Sequence, residues 1–556
     1  MKRLLLSLTV ACYSLMSASA AVPLPEVKRN GAATQMFVDG APLVMLAGEL
    51  HNSSASSIDY MKPIWPRLAA LNLNTVIGTV SWELTEPEEG KFDFTLVDAQ
   101  INEARLRNLR LVLIWFATWK NASATYAPLW VKTNTRRFPR VETKPRPDLQ
   151  SRLSGFLASS MPAPNLSSLG QETRAADAKA FRALMRHIRE VDPQHTVIMM
   201  QVENETGLLG DSRDRSPLAE AAWSKPVPAE LMNYLVMNRA NLLPEMQEVW
   251  KSSGYKTAGT WPEVFGTSNQ ADEVFMAWHV GRYVGKVIEA GKEELRLPMY
   301  VNAWLGPQPG MEQPGQYPSG GPVARVMDVW RAAAPAADLL APDIYVQDFK
   351  GTCALYARSG NPLFIPEARP IAGNLFWALG QHSAMGFSPF GIEDVKEDSQ
   401  LAEAYKVLGE MGPLLANVQA QKKIMGVLLD GDAPETVAFA GYNVRISPSH
   451  MPLRTDAGQA PVEPSTTGPT APDTRPYGLI LSTGPDEFVI VGSGLLIKFD
   501  PASSGPKIAE IGSIDEGRFE KGSWIPSRRL NGDEGRIALR SGRIGVIKVR
   551  LYRRDQ

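Results

Sequence analysis

The 556-residue sequence has few of the residues that form covalent cross-links or thiolate metal sites. It contains 2 cysteines, Cys12 and Cys353, and Cys12 lies in a segment that we expect to be removed. A single remaining cysteine can form neither an intramolecular disulfide nor a zinc site of the thiolate type. The 6 histidines are scattered, without HxH or HxxxH spacing. We therefore expect no metal site and no cofactor, and the hydrophobic core must stabilise the fold.

The sequence also lacks an excess of charge. Its 58 basic and 59 acidic residues leave a formal net charge of −1, and no basic run stands out. This balance argues against a nucleic acid or an anionic membrane as partner. Beyond the N-terminus no apolar run reaches the ~20 residues of a membrane-spanning helix. There is no GxGxxG motif, no P-loop and no internal repeat, so the usual nucleotide sites are not indicated.

The N-terminus is typical of a signal peptide over residues 1–20. Lys2 and Arg3 provide the charge, Leu4–Met16 is mostly apolar, and Ala18-Ser19-Ala20 is a small-residue cleavage site. A buried first strand or helix is the alternative. A lipoprotein anchor at Cys12 is a further one, although the residues before it match a lipobox poorly. We predict export, to the periplasm or out of the cell.

Residues 21–417 show strand-length apolar runs that alternate with amphipathic helical segments. Such alternation is typical of parallel strands joined by crossover helices. The eight runs are Leu43–Gly48, Thr75–Val80, Arg110–Phe116, Thr196–Val202, Met299–Trp304, Leu340–Val346, Leu363–Pro366 and Ala384–Phe390. Eight such units predict a closed (β/α)₈ TIM barrel, an α/β fold with its site at the C-terminal strand ends. A doubly wound open sheet would also alternate, but it lacks its usual ligand motif here.

The pattern changes from about Val418 onward. Short alternating stretches separated by Gly, Pro and Asp predict a C-terminal β-sandwich domain over residues 418–556. Within it, Ser447–Pro476 is rich in Pro, Thr and Ser and predicts an exposed loop. Two long insertions follow barrel strands, Ala122–Thr173 and Leu208–Thr267, and we expect them to form walls around the mouth of the barrel.

Two of the predicted strands end in carboxylates. The fourth run leads directly into Gln201-Val202-Glu203-Asn204-Glu205, and the seventh ends at Glu367. Strand alternation predicts that Glu203 and Glu205 lie on the same side. In a barrel, Glu205 and Glu367 can face each other across the axis. Two carboxyl groups about 5–5.5 Å apart are the arrangement that a retaining glycosidase needs.

A purely structural interpretation of these glutamates stays open. Charged groups at strand ends are stable when they are paired, and Arg369 or Arg282 could pair with Glu205 or Glu367. Buried ion-pair networks perturb carboxylates as catalytic sites do. Two such glutamates on suitable barrel strands reduce the weight of this alternative without removing it.

The chain resembles the clan A glycoside hydrolases, which carry Asn-Glu at the end of strand four and a second Glu at the end of strand seven. More narrowly, residues 40–415 resemble glycoside hydrolase family 35, the β-galactosidases. The matching stretches are Gly48–His51, Trp65–Leu68, Asn74–Val76, Trp82, Glu86-Pro87, Gly90–Phe94 and Gln201–Gly207. The C-terminal region looks like the β domain of a bacterial subgroup linked to removal of galactose from xyloglucan side chains.

Two segments depart from the family 35 pattern. Typical members carry Gly-Pro-Tyr-x-Cys-Ala-Glu after strand three, where it helps to hold galactose. This chain has Trp115-Phe116-Ala117-Thr118-Trp119-Lys120-Asn121 instead. The strand-eight segment, Gly386–Gly391, is more similar to the related family 42. The resemblance therefore supports the mechanism more strongly than the specificity for galactose.

The resemblance implies a role for each candidate residue. Glu205 would be the general acid/base and Glu367 the nucleophile of a double displacement, and Asn204 would bind the sugar 2-OH. Aromatic faces stack on sugars, and Trp82, Trp115, Trp119, Trp304 and Trp377 all lie at or past predicted strand ends. The other predicted substrate-binding residues are Glu49, His51 and Tyr345, and a packing role is the alternative for each of them.

The sequence thus predicts a retaining, exo-acting β-galactosidase with an oligosaccharide substrate and no cofactor. A different clan A activity is the first alternative: a β-glucosidase, a β-mannosidase or an endo-glycanase. The second is a carbohydrate-binding protein without catalysis, against which the presence of both glutamates argues.

Overall fold

The computed structural model describes residues 22–144, 146, 165–449, 473–502 and 505–555. The predicted signal peptide, Cys12 and most of the predicted loop Ser447–Pro476 lie outside these residues. Within them, no helix combines the length and the apolar character needed to cross a lipid bilayer.

A small antiparallel sheet precedes the barrel. It contains β1 (Glu26–Asn30), β2 (Ala33–Val38) and β3 (Ala41–Leu43) in that order. Met36 and Val38 of β2 belong to the same buried cluster as Ile77 and Val112 of the barrel strands. The sheet therefore packs against the interior of the barrel, and burial of these alternating residues holds it there.

Eight parallel strands form the barrel, as predicted. They are β4 (Met45–Glu49), β5 (Thr75–Ser81), β6 (Arg110–Phe116), β7 (Val197–Val202), β8 (Met299–Trp304), β9 (Leu339–Ile344), β10 (Glu367–Ala368) and β11 (Gly386–Phe387). Their order is β10-β9-β8-β7-β6-β5-β4-β11. A parallel bridge between Ile365, just before β10, and Phe387 of β11 closes the ring. The C-terminal strand ends therefore meet at one mouth.

Helices surround the strands and form the insertions. The helices before β7 are α1 (Ile58–Met61), α2 (Ile64–Ala70), α3 (Trp82–Thr85), α4 (Thr95–Leu106), α5 (Leu129–Thr133) and α6 (Gln171–Val191). Those after β7 are α7 (Pro217–Trp223), α8 (Ala229–Met237), α9 (Pro244–Lys251), α10 (Trp261–Phe265), α11 (Asn269–Glu294), α12 (Met327–Ala333), α13 (Phe349–Tyr356), α14 (Ala372–Gln381) and α15 (Gln400–Ala420). The insertion after β7 thus folds into short helices, α7 to α10, rather than an open loop.

Two of the long helices, α11 and α15, begin at a serine cap. The Ser268 side chain accepts a hydrogen bond from the Ala271 N–H at the start of α11, and Ser399 does the same for Ala402 in α15. Each hydroxyl satisfies one of the free N–H groups of the first turn. Because α15 continues to Ala420, the predicted domain boundary after Asn417 falls inside a helix, and the change to β structure follows Gln421.

The C-terminal domain is a two-sheet β structure, as predicted. A six-stranded sheet has the order β12-β15-β16-β20-β18-β19, and a three-stranded sheet has the order β13-β14-β17. The strands are β12 (Ile424–Leu428), β13 (Glu435–Phe439), β14 (Tyr442–Pro448), β15 (Tyr477–Gly484), β16 (Glu487–Ser493), β17 (Leu495–Pro501), β18 (Ile508–Glu520), β19 (Ser523–Leu530) and β20 (Gly545–Arg554). Apolar side chains of both sheets form one buried cluster between them. This packing is that of a sandwich.

The β domain packs tightly on the barrel through α14. A Cβ added at Gly380 of α14 would lie 2.4 Å from the Cα of Gly426 in β12, so the two backbones touch. The centroids of the Phe376 and Tyr477 rings lie 5.1 Å apart beside this contact, with the ring planes tilted by 47°. Only glycine permits such an approach. The two domains therefore share a close-packed interface.

Candidate active site

Glu205 and Glu367 converge at the mouth of the barrel. Glu205 follows the end of β7, and Glu367 is the first residue of β10. One carboxylate oxygen of Glu205 and one of Glu367 lie within 4.8 Å of each other. The two residues are 7% and 5% exposed. This upper limit on the oxygen–oxygen distance agrees with the ~5–5.5 Å spacing of the carboxyl groups in retaining glycosidases and lies below the ~6.5–9.5 Å of inverting ones.

Two more carboxyl groups complete a ring of four around the same space. Asp343 of β9 lies within the same 4.8 Å group as Glu205 and Glu367. Glu49, at the end of β4, is fully buried, and neither of its carboxyl oxygens has a hydrogen-bond partner. Burial, followed by the charge of Glu367, raises the pKa of both Glu49 and Asp343 well above the ordinary value. Burial and the neighbouring charge thus both favour the protonated form of these two groups.

Glu205 has the environment of a general acid. Burial raises the pKa of its carboxyl to about 8, and the charge of Glu367 adds to the effect, while Lys120 opposes it. The backbone N–H of Glu205 donates to the Asn302 side-chain oxygen at 3.1 Å, and the Asn302 amide donates to Asp343 at 2.7 Å. At neutral pH the Glu205 carboxyl thus holds a proton that it can transfer.

Glu367 accepts one hydrogen bond on each oxygen. The Asn204 amide donates to one at 3.3 Å, and the Tyr345 hydroxyl donates to the other at 3.0 Å. Burial raises the pKa of Tyr345, and the Glu367 charge raises it further, so the hydroxyl keeps its proton and acts as a donor. Two donors aimed at a carboxylate stabilise its ionised form. The hydrogen bonds to Glu367 are therefore those that a nucleophilic carboxylate requires.

Lys120 supplies a positive charge within the ring. Its ammonium is buried and donates to the Asn204 side-chain oxygen at 2.9 Å. Burial alone lowers the pKa of Lys120, but the charges of the four surrounding carboxyls raise it above the ordinary value. The cation near Glu205 and Glu367 is thus Lys120. In the described part of the chain, Arg369 and Arg282, the partners that a purely structural role would require, form no ion pair with either glutamate, and Arg282 donates to the Ala333 carbonyl instead.

The turns after β6 and β7 are joined by backbone hydrogen bonds. The Asn204 N–H donates to the Trp119 carbonyl at 3.2 Å, and the Ala122 N–H donates to the Glu205 carbonyl at 3.0 Å. Glu203 and Glu205 both have positive φ, 64° and 45°. Left-handed backbone at residues other than glycine is strained and is found at functional sites. The catalytic turn is held in this conformation by its neighbour.

Glu203 does not face Glu205, so the prediction that both lie on one side of the strand is wrong. Its carboxyl accepts a hydrogen bond from the Trp119 N–H at 2.7 Å and adjoins Asp177 of α6. Burial raises the pKa of Glu203 well above its ordinary value, and the Asp177 charge adds to it. The period of two ends with β7 at Val202, because the positive φ of Glu203 redirects the chain. Glu203 therefore stabilises the turn after β7 through its contacts with Trp119 and Asp177.

Three of the predicted tryptophans, Trp82, Trp115 and Trp377, have indole groups that make contacts other than with the carboxyl ring. Trp82 is fully buried and donates to Glu86 at 2.8 Å, and Trp115 is fully buried and donates to Asp177 at 2.8 Å. The Trp377 ring lies in α14, with the Lys350 ammonium 4.7 Å from its centroid. Their indole rings pack the protein interior or its surface helices, which is the alternative weighed for each of them.

The remaining predicted binding residues lie at the mouth. Tyr345 is 40% exposed and contacts Glu367 directly. His51 binds Asp394 at 2.7 Å through Nε2, and its ring meets Phe390 edge-on at 5.1 Å. Glu49 lies inside the ring. Asn204, Glu49 and Tyr345 are thus placed to contact a ligand, whereas His51 is held at the rim.

Sequence reasoning missed three residues of the site: Lys120, Asn302 and Asp343. Asp343 follows the apolar residues Leu339–Ala341, so the strand-end rule that identified Glu367 would also have identified it. Asn302 lies within an otherwise apolar strand, where a buried amide requires partners. Lys120 belongs to the segment that departs from the family pattern, and nothing in its spacing indicates a site.

Glu205, Asp343 and Glu367 are close enough for their oxygens to share one metal ion. Their surroundings favour a different use. The Asn204 amide and the Tyr345 hydroxyl present hydrogens to Glu367, and the Lys120 ammonium stands nearby. A divalent cation requires lone pairs and would be repelled by that ammonium. The donor set fits protons and sugar hydroxyls better than a metal ion.

Two parts of the chain match known families. Residues 60–253 match the family model described as beta-galactosidase, of glycoside hydrolase family 42. Residues 401–540 match a domain of unknown function, DUF5597. The first match includes Glu205 but ends before Glu367, and the second begins after it. Neither family match therefore includes Glu367, and it is the structure that places this residue beside Glu205.

The chain is similar to a curated beta-galactosidase of Xanthomonas manihotis, with 31% identity over 211 residues. The aligned part covers 37% of this chain and 30% of that protein, so the chain spans less than a third of the relative's length. Similar solved structures include the beta-galactosidase of Bacillus circulans sp. alkalophilus, with 15% identity, a TM-score of 0.42 and coverage of 67% of this chain and 57% of that one. The beta-galactosidase of Rahnella sp. R3 has 16% identity and a TM-score of 0.42, with coverage of 68% of this chain and 58% of that one.

These matches refine the family resemblance. The family model indicates family 42 rather than the predicted family 35, in agreement with the strand-eight segment Gly386–Gly391. The family model and the curated relative together support a beta-galactosidase-like glycoside hydrolase of the TIM-barrel clan.

Proposed function

We propose that this protein is a retaining, exo-acting β-galactosidase. The observation that carries the proposal is the carboxyl pair: Glu205 and Glu367 lie within 4.8 Å of each other, with donors on Glu367 and burial around Glu205. Burial thus favours the protonated form that a general acid requires in Glu205, and the donors on Glu367 suit a nucleophilic carboxylate. The small exposed fraction of both residues favours a pocket for one terminal sugar rather than an open cleft.

The proposed mechanism is a double displacement. The ionised carboxylate of Glu367 attacks the anomeric carbon, and Glu205 gives its proton to the departing oxygen. The resulting glycosyl ester is then attacked by water, from which Glu205 removes a proton, and Glu367 leaves as a carboxylate. The product keeps the β configuration. Asn204 would donate to the sugar 2-OH, a contact that strengthens in the transition state.

Glu49 is the residue that we propose for recognition of the sugar ring. Its oxygens are buried and have no protein partner, so an unpaired polar group faces the ring of carboxyls. Such a group is costly unless a ligand completes its hydrogen bonds. As a neutral carboxyl it offers both a donor and an acceptor, which suits a hydroxyl of the bound sugar.

The finer identity of the substrate rests on resemblance. Residues 40–415 resemble family 35, and the β domain looks like that of a subgroup linked to xyloglucan. We therefore propose galactose on xyloglucan side chains as the substrate and export by residues 1–20 as the route to it. A panel of aryl β-glycosides, followed by lactose and xyloglucan oligosaccharides side by side, tests this. Preferred turnover of glucosides or mannosides would favour another clan A activity, and binding without turnover would favour a lectin-like role.

A further inference from the structure

We propose that Lys120 is a positioning residue that fixes the side-chain amide of Asn204 against Glu367. The inference rests on the proposed glycosidase activity for its kinetic consequence, and on geometry alone for the positioning itself. It concerns the segment after β6 in which this chain departs from the pattern of family 35, and it gives that departure a purpose.

The hydrogen bonding of Lys120 is unusual for a buried cation. Four carboxyl groups surround it, on β4, after β7, on β9 and on β10: Glu49, Glu205, Asp343 and Glu367. Within the described residues its Nζ forms no ion pair with any of them, and its hydrogen bond goes to the Asn204 side-chain oxygen at 2.9 Å. The Phe116 ring lies below the ammonium, 5.3 Å from it. A cation that only neutralised charge would be expected to contact a carboxylate directly.

This hydrogen bond decides which way the Asn204 amide points. An ammonium group can only donate hydrogen bonds. It can therefore bond to the Asn204 amide only when the amide oxygen points toward it. The amide nitrogen must then face the other way, where it donates to Glu367 at 3.3 Å. The same N–H₂ group is the one that would meet the sugar 2-OH. Lys120 thus acts on the nucleophile and the substrate through Asn204.

The backbone places Lys120 for this purpose. Trp119, the preceding residue, both donates to the Glu203 carboxyl at 2.7 Å and accepts from the Asn204 N–H at 3.2 Å. These two hydrogen bonds therefore hold the turns after β6 and β7 together. Because the ammonium is attached to a turn that is already tied to the Asn204 backbone, the side-chain contact loses little entropy when it forms.

The charge of Lys120 has a second, measurable effect. It lowers the pKa of Glu205 against the opposing effects of burial and the Glu367 charge. Removal of the cation should therefore raise the pKa of Glu205 further. If Glu205 is the general acid, the pH at which kcat/KM declines on the alkaline side should move upward, an effect that simple loss of folded protein would not produce.

The test compares Lys120→Met with Lys120→Arg and with Lys132→Met as control. Lys132 lies in the insertion that follows Lys120 and pairs with Glu83 at 3.1 Å. For 4-nitrophenyl β-galactoside, Lys120→Met should lower kcat/KM about 100-fold, mainly in kcat, and shift the alkaline limb to higher pH. Lys132→Met should leave both kcat/KM and its pH profile unchanged. Lys120→Arg keeps the cation, and its kcat/KM should decline at the same alkaline pH as that of the wild type.

A crystal structure of Lys120→Met gives a readout that does not depend on activity. We expect the Asn204 amide to turn, so that its nitrogen lies more than 3.5 Å from Glu367. If the amide stays in place, or if the variant keeps its rate and its pH limb, the proposal is wrong. If the amide turns but the wild type cleaves no galactoside, the positioning stands and the proposed activity fails. Should Lys120→Met not fold, an alkaline limb shifted in Lys120→Arg would itself overturn the proposal.

Discussion

The Asn204 amide links the two halves of the carboxyl ring: it accepts from Lys120 at 2.9 Å and donates to Glu367 at 3.3 Å. Lys120 and Glu367 therefore act on each other through one side chain rather than by direct contact. The arrangement keeps the nucleophile free for attack while its charge is balanced nearby. It also leaves the Glu205 carboxyl without a cation within ion-pair distance among the described residues, which keeps its pKa high.

Retention of configuration is the first expected outcome. One oxygen of Glu205 and one of Glu367 lie within 4.8 Å of each other, which is nearer to the ~5–5.5 Å spacing of retaining pairs than to the ~6.5–9.5 Å of inverting pairs, where a water must fit between the sugar and the base. NMR during the first minutes of hydrolysis should show the β anomer of the released sugar. Appearance of the α anomer first would mean that Glu367 is not the nucleophile.

Replacement of each glutamate should separate their roles. Glu367→Ala should lose at least about 10⁴-fold in kcat on every substrate, since no nucleophile remains. Glu205→Ala should retain much of the first step with a dinitrophenyl galactoside, because a good leaving group requires no proton. Azide should then yield a β-galactosyl azide with Glu205→Ala only. Equal losses in both variants without any azide product would contradict these assignments.

The pH dependence of activity should reflect Glu205. Its carboxyl must be protonated to assist departure, and its pKa is raised to about 8. For an alkyl or 4-nitrophenyl galactoside, kcat/KM should therefore hold through neutral pH and fall as the pH rises through about 8. A dinitrophenyl galactoside serves as the control, because its first step requires no acid and its kcat/KM should show little decline there. The same decline for both substrates would assign the limb to another group.

Tyr345→Phe should reduce turnover without loss of stability. The hydroxyl donates to Glu367 at 3.0 Å, and the residue is 40% exposed, so its removal affects a charged hydrogen bond but little packing. A hydrogen bond to a charged group contributes about 1.5–3 kcal/mol, which corresponds to a roughly 10- to 100-fold loss in kcat. Tyr60→Phe, at an exposed tyrosine of α1, is the matched control. Unchanged kinetics in Tyr345→Phe would show that the contact has no catalytic role.

The interface between the domains predicts opposite effects for two helical glycines. Gly380→Ala should destabilise the protein by about 1–3 kcal/mol, because the added methyl group would lie 2.4 Å from the β12 backbone. Gly409→Ala in α15 adds a methyl group 3.8 Å from the Leu46 side chain, an ordinary contact distance, and should be neutral or stabilising by up to about 1 kcal/mol. Thermal unfolding of both variants measures this. A stable Gly380→Ala would mean that α14 and β12 can separate.

Much of the architecture was predictable from local pattern. Apolar runs of strand length alternate with amphipathic segments, and seven of the eight predicted runs overlap strands of the structure, as in Arg110–Phe116 and Met299–Trp304. The seventh run, Leu363–Pro366, lies just before β10 (Glu367–Ala368) rather than in it. Glu205 and Glu367 were identifiable because a charged residue directly after a buried run is costly unless it has a task. These signals depend only on neighbours in sequence, so the sequence by itself determined them.

The tertiary structure decided which side chains meet. The sequence placed Glu203 beside Glu205, but the positive φ of both residues turns one carboxyl toward Asp177 and the other toward Glu367. A positive φ can be predicted from the sequence where glycine occupies the position, but not where glutamate does. The partnership of Lys120 with Asn204 likewise arises only when the turns after β6 and β7 come together. Barrel closure brings residues distant in sequence into contact, and no local pattern encodes such a contact.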